Sequence, residues 1–489
     1  MTLLIGDCIE QMKTLEADSV DAIVTDPPYG LEFMGKDWDA PWKGKASREF
    51  NDVEPGTLGG FTKLPNHTRV NNVKCQTCDK WKFSSNPCIC ETPTFTNARL
   101  YAASAFQTWS EQWAREALRV LKPGGYLLAF GGTRMYHRLA AGIEDAGFEI
   151  RDTLMWLYGS GFPKSLDVSK AIDKAAGAER EVVGKATGGG FSDKTIGTIG
   201  HSKGAPDITA PSTEAAKKWQ GWGTALKPAV EPIVLARKPL IGTVAANVLT
   251  HGTGALNIDA SRIGIAQGDE PKAGKRTATF GTLETTSGGD GSGGWNASSG
   301  RWPANILLDE EAAAMLDQQS GERPTGEVKP YTRDSDNRVV YNSGWGNDMK
   351  FEREASSGGA SRFFYVAKAS RSERNAGLHF AEKNKALFAE QTGLSKNGDG
   401  SPRNQGQETR NIHPTVKPVA LMKYLIRLVV PKGGVVLDPF LGSGTTAVAA
   451  IEEGVEWIGC EREPEYVEII KARVAAAQPG MGLTLEGER

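Results

Sequence analysis

Two short apolar runs open the chain. Residues 2 to 6 (TLLIG) and 20 to 25 (VDAIVT) are nearly continuous in hydrophobic side chains, as strands covered on both faces of a sheet require. Between them, Cys8 to Leu15 reads as a short helix. From Ala105 to Leu121 the period changes, with Trp109, Trp113, Ala117 and Leu121 recurring every fourth residue on one helical face. That helix stops at Lys122-Pro123-Gly124-Gly125. A strand at Tyr126 to Phe130, a helix from Thr133 to Ala146 and a strand across Asp152 to Tyr158 follow. The same grammar returns near the end, as a helix to about Val430, the turn Pro431-Lys432-Gly433-Gly434 and a strand at Val435 to Leu437. A helix at Thr445 to Glu453, a strand at Glu456 to Cys460 and a terminal helix through Ala475 complete it. Helix alternating with strand predicts an α/β fold with a largely parallel sheet.

Between these ordered ends the pattern breaks. Gly30 to about Asn97 is polar and reads as an insertion, and Pro163 to about Ala225 has no apolar period. One strand returns at Glu231 to Arg237 (EPIVLAR). Residues 240 to 405 hold short elements, at Ala304 to Leu308, Glu310 to Leu316 and Arg362 to Lys368, among glycine-rich stretches such as SGGDGSGGW. With 58 glycines, many of them here, the middle is expected to be long loops and not a second compact core.

At 489 residues the chain exceeds one ordinary domain. Lys and Arg total 57 against 59 Asp and Glu, so any phosphate binding must come from local patches. No run approaches the roughly 20 apolar residues that span a bilayer, and the start is not signal-like, so a cytoplasmic protein without membrane partners is expected. Four of the six cysteines, Cys75, Cys78, Cys88 and Cys90, crowd into one segment of the first insertion. Four thiolates there suffice for a tetrahedral structural zinc site, although the second pair is C-x-C; free thiols or a disulfide are the alternatives. With four thiolates, zinc would order the insertion and leave no open position for catalysis.

Two motifs carry the chemistry. Val435 to Leu437 leads into Asp438-Pro439-Phe440-Leu441-Gly442-Ser443-Gly444-Thr445-Thr446. Glycines let backbone N–H groups approach a ligand, and the helix beginning near Thr445 adds unpaired donors. Glu461, about 20 residues on at the next strand end, can take the two ribose hydroxyls of a nucleoside. Asp438 would repel a pyrophosphate and attract an ammonium, so an adenosine cofactor with an α-amino group fits better than a dinucleotide. At the other end of the chain, VDAIVT runs into Asp26-Pro27-Pro28-Tyr29. A base's exocyclic amine is a poor nucleophile because its lone pair is delocalised. The Asp26 carboxylate and the Pro27 carbonyl, held rigid by two prolines, can accept its hydrogens, and Tyr29 can stack on the base. Each motif alone can also be an ordinary turn after a strand.

Together they resemble the amino-methylating DNA methyltransferases that use S-adenosylmethionine, in which DPPY binds the target amine and FxGxG binds the cofactor. DPPY first and FxGxG last matches the family's β arrangement. The resemblance implies a Rossmann-like S-adenosylmethionine-dependent methyltransferase fold, a mostly parallel seven-stranded sheet with a large inserted target-recognition region. It also implies sequence-specific methyl transfer to a flipped base in double-stranded DNA by in-line attack, at adenine N6, with cytosine N4 as the near rival. Motif order disfavours a protein-directed relative and the intact motifs disfavour a non-catalytic DNA-binding one; an RNA-directed enzyme stands as a further, less favoured rival. Asp438, Phe440, Gly442, Gly444 and Thr445 would line the cofactor site and Glu461 would take the ribose. HPTVKP at 413–418 resembles a third cofactor-facing segment, in which Thr415 and Lys417 would reach the cofactor carboxylate. Asp7 resembles an acidic residue near the adenine; its other reading is a helix N-cap. The implied division is 1–160 as the DPPY half, including the 40–98 insertion, then 161–228 as an inserted loop region and 229–238 as a core strand. Residues 239–409 would be the target-recognition region and 410–489 the cofactor half. A homodimer and a cognate restriction enzyme are partners such a resemblance admits.

For the DNA surface, Trp38 and Trp156 stand as aromatics for base or cofactor contact. Arg362, Lys368, Arg371 and Arg374 form one basic run, and Lys164, Lys170 and Lys174 another. Packed aromatics and solvated faces are the competing readings. Trp219, Trp222, Trp295 and Trp302 can wedge into DNA or nucleate small local cores.

Overall fold

The computed structural model describes residues 1–30, 73–75, 89–90, 95–161, 165–185, 207–264, 300–322, 328–331, 351–353, 358–367, 373, 375–376, 378, 411, 413, 415–478 and 484–486. The chain forms two units, one of residues 1–159, 230–378 and 411–489, the other of residues 160–229 and 379–410.

In chain order, the large unit contains β1 (Thr2–Ile5), α1 (Cys8–Lys13), β2 (Val20–Thr25), α2 (Ala98–Val120), β3 (Leu121–Phe130), α3 (Tyr136–Asp145) and β4 (Glu149–Leu157). The small unit follows with α4 (Val168–Ala175), β5 (Val182–Lys185), β6 (Asp207–Thr209) and α5 (Glu214–Lys218). The large unit then resumes with β7 (Val230–Arg237), α6 (Val244–His251), β8 (Ile306–Asp309), α7 (Glu310–Ser320) and β9 (Tyr365–Ala367). It ends with α8 (Val419–Val429), β10 (Val435–Asp438), α9 (Thr445–Glu453), β11 (Glu456–Glu461), α10 (Pro464–Ala477) and β12 (Thr484–Glu486).

One sheet organises the large unit, in the order β9-β8-β4-β7-β3-β2-β10-β11-β1-β12. The seven strands expected from the sequence are the contiguous stretch from β4 to β1. Three short strands extend the edges, and two of these, β8 and β9, come from the glycine-rich middle. Only β7 runs antiparallel to its neighbours β3 and β4; the other pairings are parallel.

Alternate residues of each strand feed opposite faces, as the two-residue strand period requires. Ala22, Val24, Leu128 and Val436 join the layer under α8 and α9, while Ile23, Leu127, Ala129 and Leu437 join the layer under α1, α2 and α3. That double coverage explains why β2 is buried along its whole length. On α2, the four-residue stripe is the buried one: Trp109, Trp113 and Ala117 are at most 6% exposed. Removing the Trp113 side chain would cost about 3–5 kcal/mol. The one charge in β2, Asp21, accepts from Lys122 Nζ at 2.6 Å and from the Val435 N–H at 2.8 Å, which ties β2 to β3 and β10. A buried carboxylate is tolerated only with such partners.

The small unit corrects the expectation of loops across residues 161–228. Its α4 and α5 pack together, and β5 and β6 pair antiparallel. Its centre is polar. The Asp173 side chain is fully buried, accepting from the Ser212 and Thr213 N–H groups at 3.0 Å, from the Thr213 hydroxyl at 2.7 Å and from Arg180 at 2.5 Å. Burial alone would raise this carboxyl, but those bonds pull it down to about 2. Trp219 and Trp222 stack edge to face at 4.9 Å and are 40% and 59% exposed, so they do not nucleate this centre.

Candidate active site

Strands β2 and β10 are parallel neighbours, with Ala22 opposite Val436 and Ile23 opposite Leu437. Asp26 and Pro439, next after these strands, therefore leave the sheet side by side, at the crevice beyond the carboxyl ends where open α/β sheets bind ligands. The residue that precedes the first motif is bonded to the second there. The Thr25 hydroxyl donates to Asp438 Oδ1 at 2.6 Å, the Phe440 N–H to the same oxygen at 3.0 Å, and the Thr446 hydroxyl to Asp438 Oδ2 at 2.5 Å. Asp438 is 3% exposed, and burial pushes its carboxyl up to about 6. Both its oxygens thus hold the turn and the neighbouring strand, where the sequence pointed to a ligand's ammonium.

The glycine turn sits against the next strand and the last helix. Gly442 has φ +56°, and a Cβ there would come within 2.8 Å of His413 Nε2. Gly444, at φ +79°, ends the turn against Ile470. Arg473 of α10 is 2% exposed and donates to the Ser443 carbonyl at 2.7 Å and to the Thr445 hydroxyl at 3.0 Å, fixing the turn from behind. Glu461 accepts from the Gly442 N–H and the Glu463 N–H, each at 2.8 Å. It is 7% exposed, and burial pushes its carboxyl up to about 7. Asp7, two residues past β1, caps α1 by accepting from the Ile9 N–H at 3.0 Å while also lining the cleft. Phe440 packs on Trp109 and Trp113, with ring centroids 5.5 and 5.4 Å away.

At the other end of the cleft, Pro27 is buried and Asp26 presents its two oxygens unequally. Lys417 Nζ lies 2.5 Å from Asp26 Oδ2, whereas Oδ1 is buried with no hydrogen-bond partner among the described residues. The Tyr29 hydroxyl donates to Glu231 Oε2 at 3.1 Å, and Lys417 Nζ donates to the Tyr29 oxygen at 3.2 Å. Burial and the neighbouring Asp26 and Glu231 carboxylates raise the Tyr29 phenol well above its usual range, so it stays protonated. Burial alone would lower Lys417, but Asp26 and Glu231 reverse this and hold it raised and cationic.

One cleft is lined by Asp7, Asp26, Pro27, Pro28, Tyr29, Thr415, Lys417, Asp438, Phe440, Gly442, Thr445 and Glu461. Gly444 is not among the lining residues and abuts Ile470 instead. Lys417, expected at the cofactor carboxylate, is paired in this cleft with Asp26 of the DPPY residues. Glu231, Trp109, His413 and Arg473 were not singled out for this site from the sequence. Glu231 carried a signal, as a charge just ahead of the apolar run Ile233 to Ala236; Arg473 shows itself only by falling among the buried positions of α10.

The remaining candidates fall elsewhere. Trp156 lies on β4, partly buried and edge-on to Phe130 at 6.5 Å. Arg362 precedes β9, and so lies at the amino end of parallel strands whose carboxyl ends form the cleft; its guanidinium donates to the Gly359 carbonyl and stacks on Phe363. Trp38, Cys78, Cys88, Lys164, Trp295, Lys368, Arg371 and Arg374 lie outside the described residues. Of the other cysteines, Cys75 ends a short strand paired with Phe95–Asn97, and Cys90 is partly buried. Among the described residues no group of three or more potential metal ligands occurs, and no helix is long and apolar enough to cross a membrane.

The chain is similar to known proteins. The chain is 26% identical over 255 residues to the type II methyltransferase M.HindIII of Haemophilus influenzae, covering 52% of this chain and 63% of that one. Over 62 residues it is 47% identical to the type II methyltransferase M.BglI of Bacillus subtilis, covering 13% and 18% of the two chains. It thus spans less than two thirds of the length of these curated relatives. Among solved structures, the cytosine-N4-specific PvuII DNA methyltransferase aligns over 98% of this chain and 87% of its own, at 12% identity and a TM-score of 0.38. The complex of M1.HpyAVI with SAM aligns over 97% and 98%, at 12% identity and a TM-score of 0.32. The family model for N6/N4 methyltransferases, described as DNA methylase, matches residues 20–472, nearly the whole chain, and the protein belongs to that family.

Proposed function

We propose that this protein transfers a methyl group from S-adenosylmethionine to the N6 amine of adenine in double-stranded DNA. The observation that carries this reading is the buried Oδ1 of Asp26, without a hydrogen-bond partner among the described residues, in the same cleft as the glycine turn and Glu461. S-adenosylmethionine, when bound, would supply an electrophilic methyl group on a sulfonium, whose carbon–sulfur bond breaks on transfer to leave a neutral thioether. The cleft suits it: the turn offers close backbone approach, Phe440 offers an apolar wall, and Glu461 and Asp7 offer acceptors at adjacent strand ends.

The chain's own residues prepare the amine. Asp26 Oδ1 accepts one amino hydrogen and the Pro27 carbonyl accepts the other, which draws the nitrogen out of conjugation and frees its lone pair. Positive charge that grows on the nitrogen falls beside Asp26, and the proton shed after methylation passes to Oδ1. Tyr29 flanks the base. Adenine is favoured over cytosine by Asp26 at the head of the tetrapeptide, since DPPY is the commoner form in adenine enzymes of this family. Nucleoside analysis of DNA methylated by the protein tests this directly: N6-methyladenine is expected, and N4-methylcytosine would reassign the base while keeping the chemistry.

The four cysteines of the first insertion form, in this reading, a structural zinc site apart from the reaction. Metal analysis of protein never exposed to chelator should find about one zinc per chain, and less than half an equivalent would remove the assignment.

A further inference from the structure

Glu231 has no part in the chemistry described so far, yet it is embedded in the site. Because β7 is the antiparallel strand, its amino end reaches the edge where the neighbouring strands have their carboxyl ends, which brings Glu231 beside the DPPY residues. Glu231 Oε2 accepts the Tyr29 hydroxyl at 3.1 Å and lies 3.3 Å from Lys417 Nζ. The Lys417 side chain is 7% exposed, spans the gap to Asp26 Oδ2 at 2.5 Å, and rests 5.0 Å from the centre of the Phe130 ring. One cation thus serves two carboxylates in a desolvated place. Such an arrangement persists only when its geometry is well determined, and it resists removal of any one member.

Its effect on Asp26 is specific. A free carboxylate offers two equivalent oxygens. Here Oδ2 is occupied by Lys417, and Oδ1 is buried without a partner among the described residues. Were Lys417 not also drawn toward Glu231, its ammonium could move to bridge both Asp26 oxygens and compete with an incoming amine for Oδ1.

We propose that Glu231 and Lys417 are positioning residues: Glu231 anchors the Lys417 ammonium and the Tyr29 hydroxyl, Lys417 holds Asp26 Oδ2, and Oδ1 becomes the single carboxylate oxygen offered to the target amine. This rests on the reading of Asp26 as the amine acceptor. A second consequence follows from charge. One ammonium with two ionised carboxylates leaves the site net negative, which favours the positive charge that builds on the amine.

The test uses the full chain, unmethylated genomic DNA and tritiated S-adenosylmethionine, with S-adenosylhomocysteine affinity measured separately by calorimetry. Glu231→Ala should lower kcat about a hundredfold while the DNA KM and the S-adenosylhomocysteine Kd stay within about threefold. Glu231→Gln, which keeps an acceptor oxygen for Tyr29 and Lys417, should recover to within about tenfold of the parent. Glu231→Ala combined with Lys417→Met should be no slower than the slower single variant, because both act through one arrangement. The proposal is overturned if Glu231→Ala keeps its kcat, if the loss appears in KM instead, if Gln rescues nothing, or if the two changes are additive. Should Glu231→Ala not fold, Tyr29→Phe removes one of the same bonds without opening a cavity. A kcat lowered about tenfold at unchanged Kd then supports the proposal, and an unchanged kcat overturns it. Asp26→Ala separates this from the reading beneath it. Activity retained there removes the amine acceptor itself, whereas an inactive Asp26→Ala beside a fully active Glu231→Ala removes only the positioning pair.

Discussion

The two units are built on opposite principles. The large one is a sheet between two apolar layers, with strand after strand alternating its side chains between them. The described part of the small one is held around a buried carboxylate, Asp173, to which Arg180, Ser212 and Thr213 all donate. Hydrophobic burial is non-directional and survives imperfect geometry, whereas a buried polar centre is stable only while every member is satisfied. The large unit should therefore tolerate volume-conserving apolar exchanges in its frame, though not the loss of a buried side chain such as Trp113, and be sensitive at the cleft; the small unit should be sensitive at its centre.

The sharpest break of this contrast is functional. Asp26→Ala should abolish methyl transfer, a loss of a thousandfold or more that corresponds to about 4 kcal/mol. S-adenosylhomocysteine affinity should change by no more than a few fold. A variant retaining over about a tenth of the parent's activity would show that Asp26 does not hold the amine. Next in size, Asp173→Ala should release the small unit alone: amide exchange across residues 165–185 and 207–229 should quicken by about tenfold or more while β2 and β10 remain protected. Equal loss of protection in both units would mean that they fold as one.

Acid separates the units with opposite signs. Asp438 and Glu461 titrate in the folded state at about 6 and about 7, above their ordinary 3.8 and 4.5, so the folded large unit binds these protons more tightly than the unfolded chain does. Stability from these groups is present at low pH and declines as pH rises through that interval. Asp173, held at about 2 against 3.8, works the other way: its contribution is full above pH 3.8 and disappears as pH falls through 2. Exchange or proteolysis mapped from pH 8 down to pH 2.5 should show the cleft strands firming first and the small unit loosening last. The smallest effect expected is on the cofactor. If ionised Glu461 takes the ribose, S-adenosylhomocysteine affinity should fall by up to about tenfold per unit below pH 7. Glu461→Ala should bind weakly and lose most of that dependence; unchanged affinity would count against the ribose assignment.

The same contrast sets what could be read beforehand. Apolar period and strand-helix alternation locate the seven central strands, because those residues face two greasy layers and little else. They do not report the small unit, whose order comes from Asp173 and Arg180, residue types ordinarily assigned to surface. The cleft divides likewise. Asp26, Gly442 and Glu461 are visible in short local patterns. Glu231 and Trp109 reach the site only through strand direction and helix packing, which no local pattern encodes. Lys417 lay within a recognised segment, but its partner depends on how far its side chain reaches across the cleft toward Asp26 and Glu231.

The bond between Thr25 and Asp438 closes a loop of 413 residues. In polymer terms this is a modest demand, because closure entropy grows only with the logarithm of length. Cutting the loop to a quarter would recover only about 1.2 kcal/mol. Chain between the two motifs is therefore close to a free variable for the cleft, provided the segments that return to the sheet still do so. Insertions there can lengthen, shorten or be exchanged with almost no entropic effect on the alignment of Asp26 with the glycine turn. A surface carried on that chain could then change without rebuilding the cleft.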